Sequence, residues 1–294
     1  MNQSQPLKAA AWMMGAVVSF TSMAVAGREI AHELDTFEIM TYRSIIGIVV
    51  VILAARVAGT LNQITRRRMW LHLIRNSSHF LGQNLWFYAL TLITLPQLFA
   101  FEFSVPLWVA LVAPFFLAER LTAIRLGAAL VGFIGILVVA RPDQLGLSTG
   151  IVAAAIAAIG FTGSAVATKL LTRTETTTCI LFWLTIIQAV LGLTLAGYDG
   201  DIALPSVASL PWVVLVGIAG LFAHFCITNA LHIAPASVVF PMDFVRLPLA
   251  AVVGILFYAE PFQVTVFIGA AIILAANWVN IRSEQRAAVQ SVVR

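Results

Sequence analysis

Charge is what this sequence has least of. Asp, Glu, Lys and Arg make up only 10% of its 294 residues, against a hydrophobic share of 61%, whereas a soluble domain carries about a quarter charged residues. A chain so poor in charge has too little polar surface to fold in water, so lipid is the solvent for most of it. Cysteine is nearly absent too. Cys179 and Cys226 both sit in apolar runs, which argues against a disulfide framework and marks them as packing residues. There is no His-Glu-x-x-His, no Gly-x-Ser-x-Gly, no Walker loop and no clustered metal-ligand spacing. These gaps argue against an enzyme of those classes, a resident cofactor or metal, and an ATP-driven pump built from this chain alone. The formal net charge of +4 lies between the apolar runs, with no basic-aromatic platform for nucleic acid.

What is present is a duplication. Displaced by 141 residues without a gap, the chain matches itself: Phe20-Thr21 falls on Phe161-Thr162, Val25-Ala26 on Val166-Ala167, Ala89-Leu90 on Ala230-Leu231, Phe99 on Phe240 and Phe103 on Phe244. Charged positions match as well, with Glu119 on Glu260, Arg141 on Arg282, and Glu102 on Asp243. Apolar coincidences are common in such a composition, but charged ones at a single offset are not. The chain divides into a first repeat over 1–147 and a second over 148–294. Because both repeats lie in one chain, a monomer is a possible complete unit.

A membrane-crossing helix needs about 20 mostly apolar residues. The sequence predicts ten, near 8–28, 36–56, 70–91, 95–118, 122–140, 149–169, 178–198, 209–230, 235–258 and 262–281. The fold class is therefore an all-α polytopic membrane protein. The first run ends in Ala24-Val25-Ala26-Gly27, which resembles a leader cleavage site. The sixth run repeats its Phe-Thr and Val-Ala pairs deep in the chain, so the first is read as a retained helix.

Loop charge sets the orientation. With the N-terminus inside, twelve of the seventeen Lys and Arg fall on the inner side and only Arg28 and Arg141 on the outer; Arg43, Arg75 and Arg246 fall within or near the ends of spans. Both termini are expected on the cytoplasmic side of the inner membrane. An odd number of spans per repeat then inverts the second copy relative to the first, an arrangement that places sites near the midplane between repeats. Reporter fusions after Arg294 and in the 141–148 link are expected to report opposite sides, and the same side for both rules out ten spans.

Ionisable groups at membrane depth cost a few kcal/mol or more, so they face a cavity or a partner. Glu102 lies roughly 10 Å from the outer end of the fourth span, at about 1.5 Å per residue. Arg43 is about as deep in the second span, which makes the two a candidate pair. Asp243 has Arg246 one turn on, at i+3 and on the same face, and Arg75 enters the third span from the inner end. Two readings stand: ion pairs that hold helices in register, or a pair that lines the path and meets a charged substrate or a proton. His79, Gln83 and Trp86 share one face of the third span. Across the repeat Gln83 falls on His224 and Tyr88 on Asn229. This polar set suits either a zwitterion bound at mid-depth, with Trp86 and Tyr88 as flat apolar contacts, or hydrogen bonds between helices.

Pro96, Pro106 and Pro114 punctuate the fourth span, and Pro235, Pro241 and Pro248 the ninth. Inside a helix, proline removes a backbone bond and kinks the axis. At membrane depth this is tolerated where neighbours or a wet cavity satisfy the freed carbonyls. The kinks accompany Glu102 and Asp243, so spans four and nine are expected to wall a central site. Gly127, Gly132, Gly135, Ala153 to Ala155 and Ala157-Ala158 read as close-packing residues. Glu119 and Glu260 read as capping or turn residues.

Ten spans, an inverted five-helix duplication and the Glu that ends spans four and nine resemble the drug/metabolite transporter superfamily. The stretch Pro106 to Pro142, with Leu117-Ala118-Glu119-Arg120-Leu121-Thr122 and Gly132-Phe133-Ile134-Gly135-Ile136-Leu137-Val138-Val139, looks like the end of an EamA domain, and Tyr258-Ala259-Glu260-Pro261 is similar. The resemblance implies a secondary transporter of small metabolites, an exporter of amino acids like those of the YddG type. It implies a substrate cavity lined by spans 3, 4, 8 and 9 with 1 and 6. Arg43, Arg75 and Arg246 depart from a neutral cavity and leave room for an anionic or nucleotide-like substrate. A membrane-embedded enzyme has one candidate pair, Glu102 with His79; a channel or scaffold fits the broken, matched helices less well.

Overall fold

The computed structural model describes residues 6–117, 123–140, 148–198, 200–233, 242–243 and 246–293. Glu119, Arg120, Arg141, Pro235, Phe240, Pro241, Phe244 and Arg294 lie outside the described residues. The helices are α1 (Pro6–Ile30), α2 (Thr36–Val57), α3 (Met69–Leu90), α4 (Leu95–Glu102), α5 (Val105–Leu117), α6 (Ala123–Ala140), α7 (Thr149–Leu171), α8 (Thr177–Ala196), α9 (Leu210–Ile233), α10 (Arg246–Tyr258) and α11 (Val264–Val293), with a short 3-10 turn at Leu61–Gln63. No strand occurs among the described residues. The ten spans are these helices, with α4 and α5 sharing the fourth.

Helix starts follow the local sequence. Asp35 caps α2 by accepting from the Glu38 N–H, while the Glu38 side chain accepts from the Asp35 N–H. Thr94 and Gln97 form the same box on α4, and Ser148 and Thr176 cap α7 and α8. Such caps satisfy N–H groups that the first helical turn leaves open. Five helices, α1, α2, α7, α8 and α9, are long and apolar enough to cross a membrane by themselves. Helix α3 has the length but carries His72, Arg75, Asn76, His79, Gln83 and Asn84, all buried. It is therefore covered by protein on the side that bears them.

The fourth span differs from the single kinked helix expected. It is interrupted at Phe103-Ser104. Pro106 has no N–H to return to the Glu102 carbonyl, so the α-helical ladder breaks there. Neighbours take up the freed groups, with Ser104 Oγ donating to the Phe101 carbonyl at 2.6 Å and Asn277 Nδ2, from α11, to the Phe103 carbonyl at 2.8 Å. Non-helical backbone at membrane depth is stable only with such internal partners.

The four largest packings are α1 on α9, α3 on α7, α6 on α11 and α2 on α8, and α4 also packs on α10. The repeat operation exchanges the first two and maps each of the others onto itself, as a two-fold between inverted repeats requires. Each packing joins one repeat to the other. Backbones approach closely at three crossings: a Cβ on Gly160 would lie 2.8 Å from the Gly82 nitrogen, one on Gly135 2.8 Å from the Gly269 carbonyl oxygen, and one on Gly192 3.1 Å from the Thr41 nitrogen. Gly127, by contrast, has nothing within 4 Å of an added Cβ among the described residues.

On the face opposite the Arg66–Arg68 cluster, the 200–209 segment straps α1 and α2. The Ala203 N–H donates to Glu38 at 2.5 Å, Tyr42 donates to the Ala203 carbonyl at 2.7 Å, and Glu33 accepts from the Ser206 N–H and the Ser209 hydroxyl. Those hydrogen bonds, the Ser209 hydroxyl first, hold the Glu33 carboxyl below its ordinary range.

Candidate functional site

The deepest charge is Arg246, the first residue of α10, with only 2% of its side chain exposed. Its guanidinium bonds Glu102 of α4 at 2.9 Å and Asp243, one turn earlier, at 2.6 Å. The far oxygen of Glu102 accepts from the Trp86 indole N–H at 3.0 Å. Phe20 of α1 and Phe99 of α4 hold their ring centroids 4.8 Å from the guanidinium carbon, and Phe103 lies at 5.4 Å. One cation therefore serves two carboxylates inside an aromatic wall, leaving a formal excess of one negative charge. Among the described residues, Asp243 Oδ1 and Arg246 Nε have no hydrogen-bond partner.

The expected i+3 pair of Asp243 and Arg246 is present. The Arg43–Glu102 pair is not: Glu102 takes Arg246 and Trp86 instead. Arg43 is buried with no acidic partner among the described residues, its Nη1 lying 3.7 Å from Met40 Sδ. It fills space that Gly220 leaves open on α9, where an added Cβ would sit 2.6 Å from Arg43 Nη2. Depth alone suggested the pair, but helix rotation turns Arg43 toward α9 rather than α4. Trp86 also differs from its expected part as a flat apolar contact. A buried indole N–H requires an acceptor, and Glu102 supplies it.

A second polar group adjoins the first. The His79 and His224 rings are 5.1 Å apart, joining α3 to α9, and Phe161 of α7 lies 5.6 Å from His79. Gln83 is buried within hydrogen-bonding reach of His79, while His79 Nε2 has no partner among the described residues. Phe20 contacts His224 at 5.7 Å and so touches both groups. Arg75 is buried without an acid among the described residues, donating to Thr168 Oγ1 at 2.9 Å and Asn76 Oδ1 at 2.7 Å. Arg43 and Arg75 lie close enough to both imidazoles to act on them electrostatically.

Two expected members stand apart. Tyr88 is 45% exposed on the outward face of α3, and the Asn229 amide donates to its own helix at Phe225 O, 2.8 Å. The aromatic wall of Phe20, Phe99 and Phe103 was missed as a site element, although all three are repeat-matched phenylalanines. Thr168 and Asn76 carried no such signal.

The end of the bundle opposite the Arg66–Arg68 cluster is fastened by Arg28 of α1. It pairs with Glu260 at 2.5 Å and donates to the Leu90 and Ile93 carbonyls at 2.7 and 2.9 Å. Glu260 does act as a cap, but on α4 rather than the next helix, accepting from the Leu95 N–H at 3.1 Å. An open depression of about 550 Å³ lies over this latch, lined by Arg28, His32, Thr91, Gln97 and Tyr258.

The EamA-like transporter family model matches this chain twice, over residues 7–141 and 148–282. The second match begins 141 residues beyond the first, the displacement at which the chain matches itself. An S-adenosylmethionine uptake transporter of Rickettsia felis is 26% identical over 276 residues, covering 94% of this chain and 93% of its own. A riboflavin transporter of Rhizobium johnstonii is 31% identical over 219 residues, covering 74% of this chain and 72% of its own. A protein of known crystal structure shares the fold at a TM-score of 0.69 and 20% identity, over 95% of this chain and 98% of that one. With both repeats matched and a buried charged site at their interface, this chain belongs to the EamA-like transporter family and is a multi-pass membrane transporter.

Proposed function

We propose that the chain is a secondary active transporter of the inner membrane, with both termini cytoplasmic, that moves zwitterionic metabolites bearing an amino-acid head by alternating access. The observation that carries this reading is the separation of unmatched charge within one buried cluster. Glu102, Asp243 and Arg246 leave a negative excess, whereas Arg43 and Arg75 are cations without acids among the described residues. An ammonium suits the first and a carboxylate the second, with His79, His224 and Gln83 between them. Phe20 and Phe161 offer aromatic surface for the rest of the molecule. Free amino acids meet this description, and export is the direction implied by the resemblance to amino acid exporters.

A second reading draws on the relatives named for S-adenosylmethionine and riboflavin, and is carriage of nucleotide-like or anionic metabolites. S-adenosylmethionine joins an amino-acid head to a heterocycle and satisfies both readings; riboflavin has no such head. Counterflow into proteoliposomes separates them. Saturable exchange of amino acids, competed by S-adenosylmethionine but not riboflavin, supports head-group recognition. Exchange of riboflavin without amino acids overturns it in favour of the second reading. Comparing vesicles of the two orientations reads the direction.

Gln83 and His79 are read as lining the path. Gln83→Ala is expected to lower transport while leaving membrane yield and unfolding temperature unchanged. Loss of the fold, or unaltered transport, assigns the residue to packing.

A further inference from the structure

On the face that carries Arg66, Arg67, Arg68 and Arg173, away from the central cluster, three side chains from different parts of the chain converge. His72 lies in the first turn of α3, Cys179 in the first turn of α8, and Glu175 in the link before α8. Each offers one donor atom, and these atoms all lie within 4.8 Å of one another. His72 and Cys179 are fully buried and Glu175 is 9% exposed. Cys179 Sγ is 4.0 Å from His72 Nε2. Thr65 braces the group, its hydroxyl donating to Glu175 Oε2 at 2.7 Å and its N–H to Cys179 Sγ at 3.4 Å. Trp183 donates to the Thr65 carbonyl at 2.7 Å and covers the His72 ring at a centroid distance of 6.3 Å.

Glu175 Oε1, buried in this group, has no hydrogen-bond partner among the described residues; neither has His72 Nδ1, the ring nitrogen other than the Nε2 that faces Cys179. A buried carboxylate oxygen is costly in that state, and a cation between it, His72 Nε2 and Cys179 Sγ relieves it. We propose that His72, Glu175 and Cys179 form a transition-metal site of the zinc class that clamps the two repeats together at this face. The donor set is the reason for that class: a thiolate, an imidazole and a carboxylate suit zinc-like ions, whereas magnesium and calcium take oxygen alone. The edge between His72 and Cys179 is close to ready. Tetrahedral zinc with its usual bond lengths holds nitrogen and sulfur ligands about 3.6 Å apart, a few tenths of an ångström less than the 4.0 Å here. Binding converts the Cys179 thiol to a metal thiolate and releases its proton, the imidazole binding as the neutral ring and Glu175 as the carboxylate. Water fills the fourth position. The ion then ties His72 of the first repeat to Glu175 and Cys179 of the second, beside the hydrogen bonds that Thr65 already makes to both. No sequence spacing announces the site, because His72 and Cys179 are more than a hundred residues apart.

The test uses the purified full chain with Co²⁺ as a spectroscopic probe and Zn²⁺ as competitor. The expected result is about one Co²⁺ per chain with a thiolate-to-cobalt charge-transfer band, displaced by Zn²⁺. That band disappears in Cys179→Ser and persists in Cys226→Ser. His72→Gln and Glu175→Gln each weaken Zn²⁺ binding more than about 10-fold, at least what loss of an outer-shell partner costs. The wild-type chain also unfolds at a higher temperature with Zn²⁺ than with a chelator, a readout that needs no variant. Absence of the band in the wild type, or its survival in Cys179→Ser, overturns the site. The clamping consequence rests on the alternating-access reading: Zn²⁺ inhibits counterflow by the wild type and not by Cys179→Ser. Zn²⁺-insensitive counterflow overturns the clamp, whereas absent counterflow in metal-free protein overturns the transport reading and leaves the spectroscopic result standing.

Discussion

Arg246→Ala is expected to cost about 3–5 kcal/mol of folding stability, the loss that follows when one side of a buried ion pair is removed. The effect belongs at the upper end because the guanidinium answers two carboxylates, Glu102 and Asp243, and packs against Phe20 and Phe99. Its removal leaves both acids buried in a site walled by aromatic rings. Unfolding of the detergent-solubilised chain, followed by helical signal against denaturant, measures the change.

The three charges further predict an order among combined variants. Adding Asp243→Asn to Arg246→Ala recovers part of the loss, because one of the two stranded carboxylates becomes neutral. Full relief requires Glu102→Gln as well, since Glu102 then retains only the Trp86 donor. The single variant is thus the least stable, the double intermediate, and the triple nearest the wild type. Strictly additive losses would falsify the coupling, because independent sites add and shared networks do not. A triple variant that still transports assigns the three charges to structure and moves ion coupling elsewhere.

The sequence made this arithmetic only half visible, and the reason is physical. Asp243 and Arg246 are three residues apart on one helix, so local geometry alone put them on one face. Glu102 and its partner lie on different helices, and only depth was available to match them. Depth favoured Arg43. Rotation decides such contacts, and a helix that is apolar on all sides carries little periodic signal for which side faces in. Helix α3 was the exception, because its polar residues mark one face, and His79, Gln83 and Trp86 are all buried there. Tyr88 sits two residues beyond Trp86 and falls on the opposite side. The repeat was informative where it matched Phe20, Phe99 and Phe103 and misleading where it matched Tyr88 to Asn229: equivalence under the two-fold gives a shared place in the fold, not a shared role. The break at Phe103-Ser104 was anticipated in place by Pro106 but not in degree, because its extent depends on Asn277, a residue of the other repeat.

Arg43→Met is expected to move stability and transport in opposite directions. An arginine held in the bilayer without a carboxylate among the described residues costs the fold a few kcal/mol or more, and Arg43 Nη1 has a weak sulfur acceptor, Met40 Sδ, at 3.7 Å. Methionine fills a similar volume without the charge, so the variant unfolds at the same temperature or a higher one. If the guanidinium is kept because it meets a substrate carboxylate, its loss weakens substrate binding by about 2 kcal/mol or more, roughly 30-fold in Kd. Arg75→Met is expected to lose transport with less gain in stability, because Thr168 and Asn76 already share its charge and are left with an apolar neighbour. Arg43→Lys, which keeps the charge without the planar fork, is expected to fall between wild type and Arg43→Met in transport. Binding measured on the purified chain, beside its unfolding temperature, separates these effects. An Arg43→Met protein that is destabilised and still binds substrate at wild-type affinity places Arg43 among the residues that hold α2 to α9, and leaves Arg75 alone as the positive pole of the proposed site.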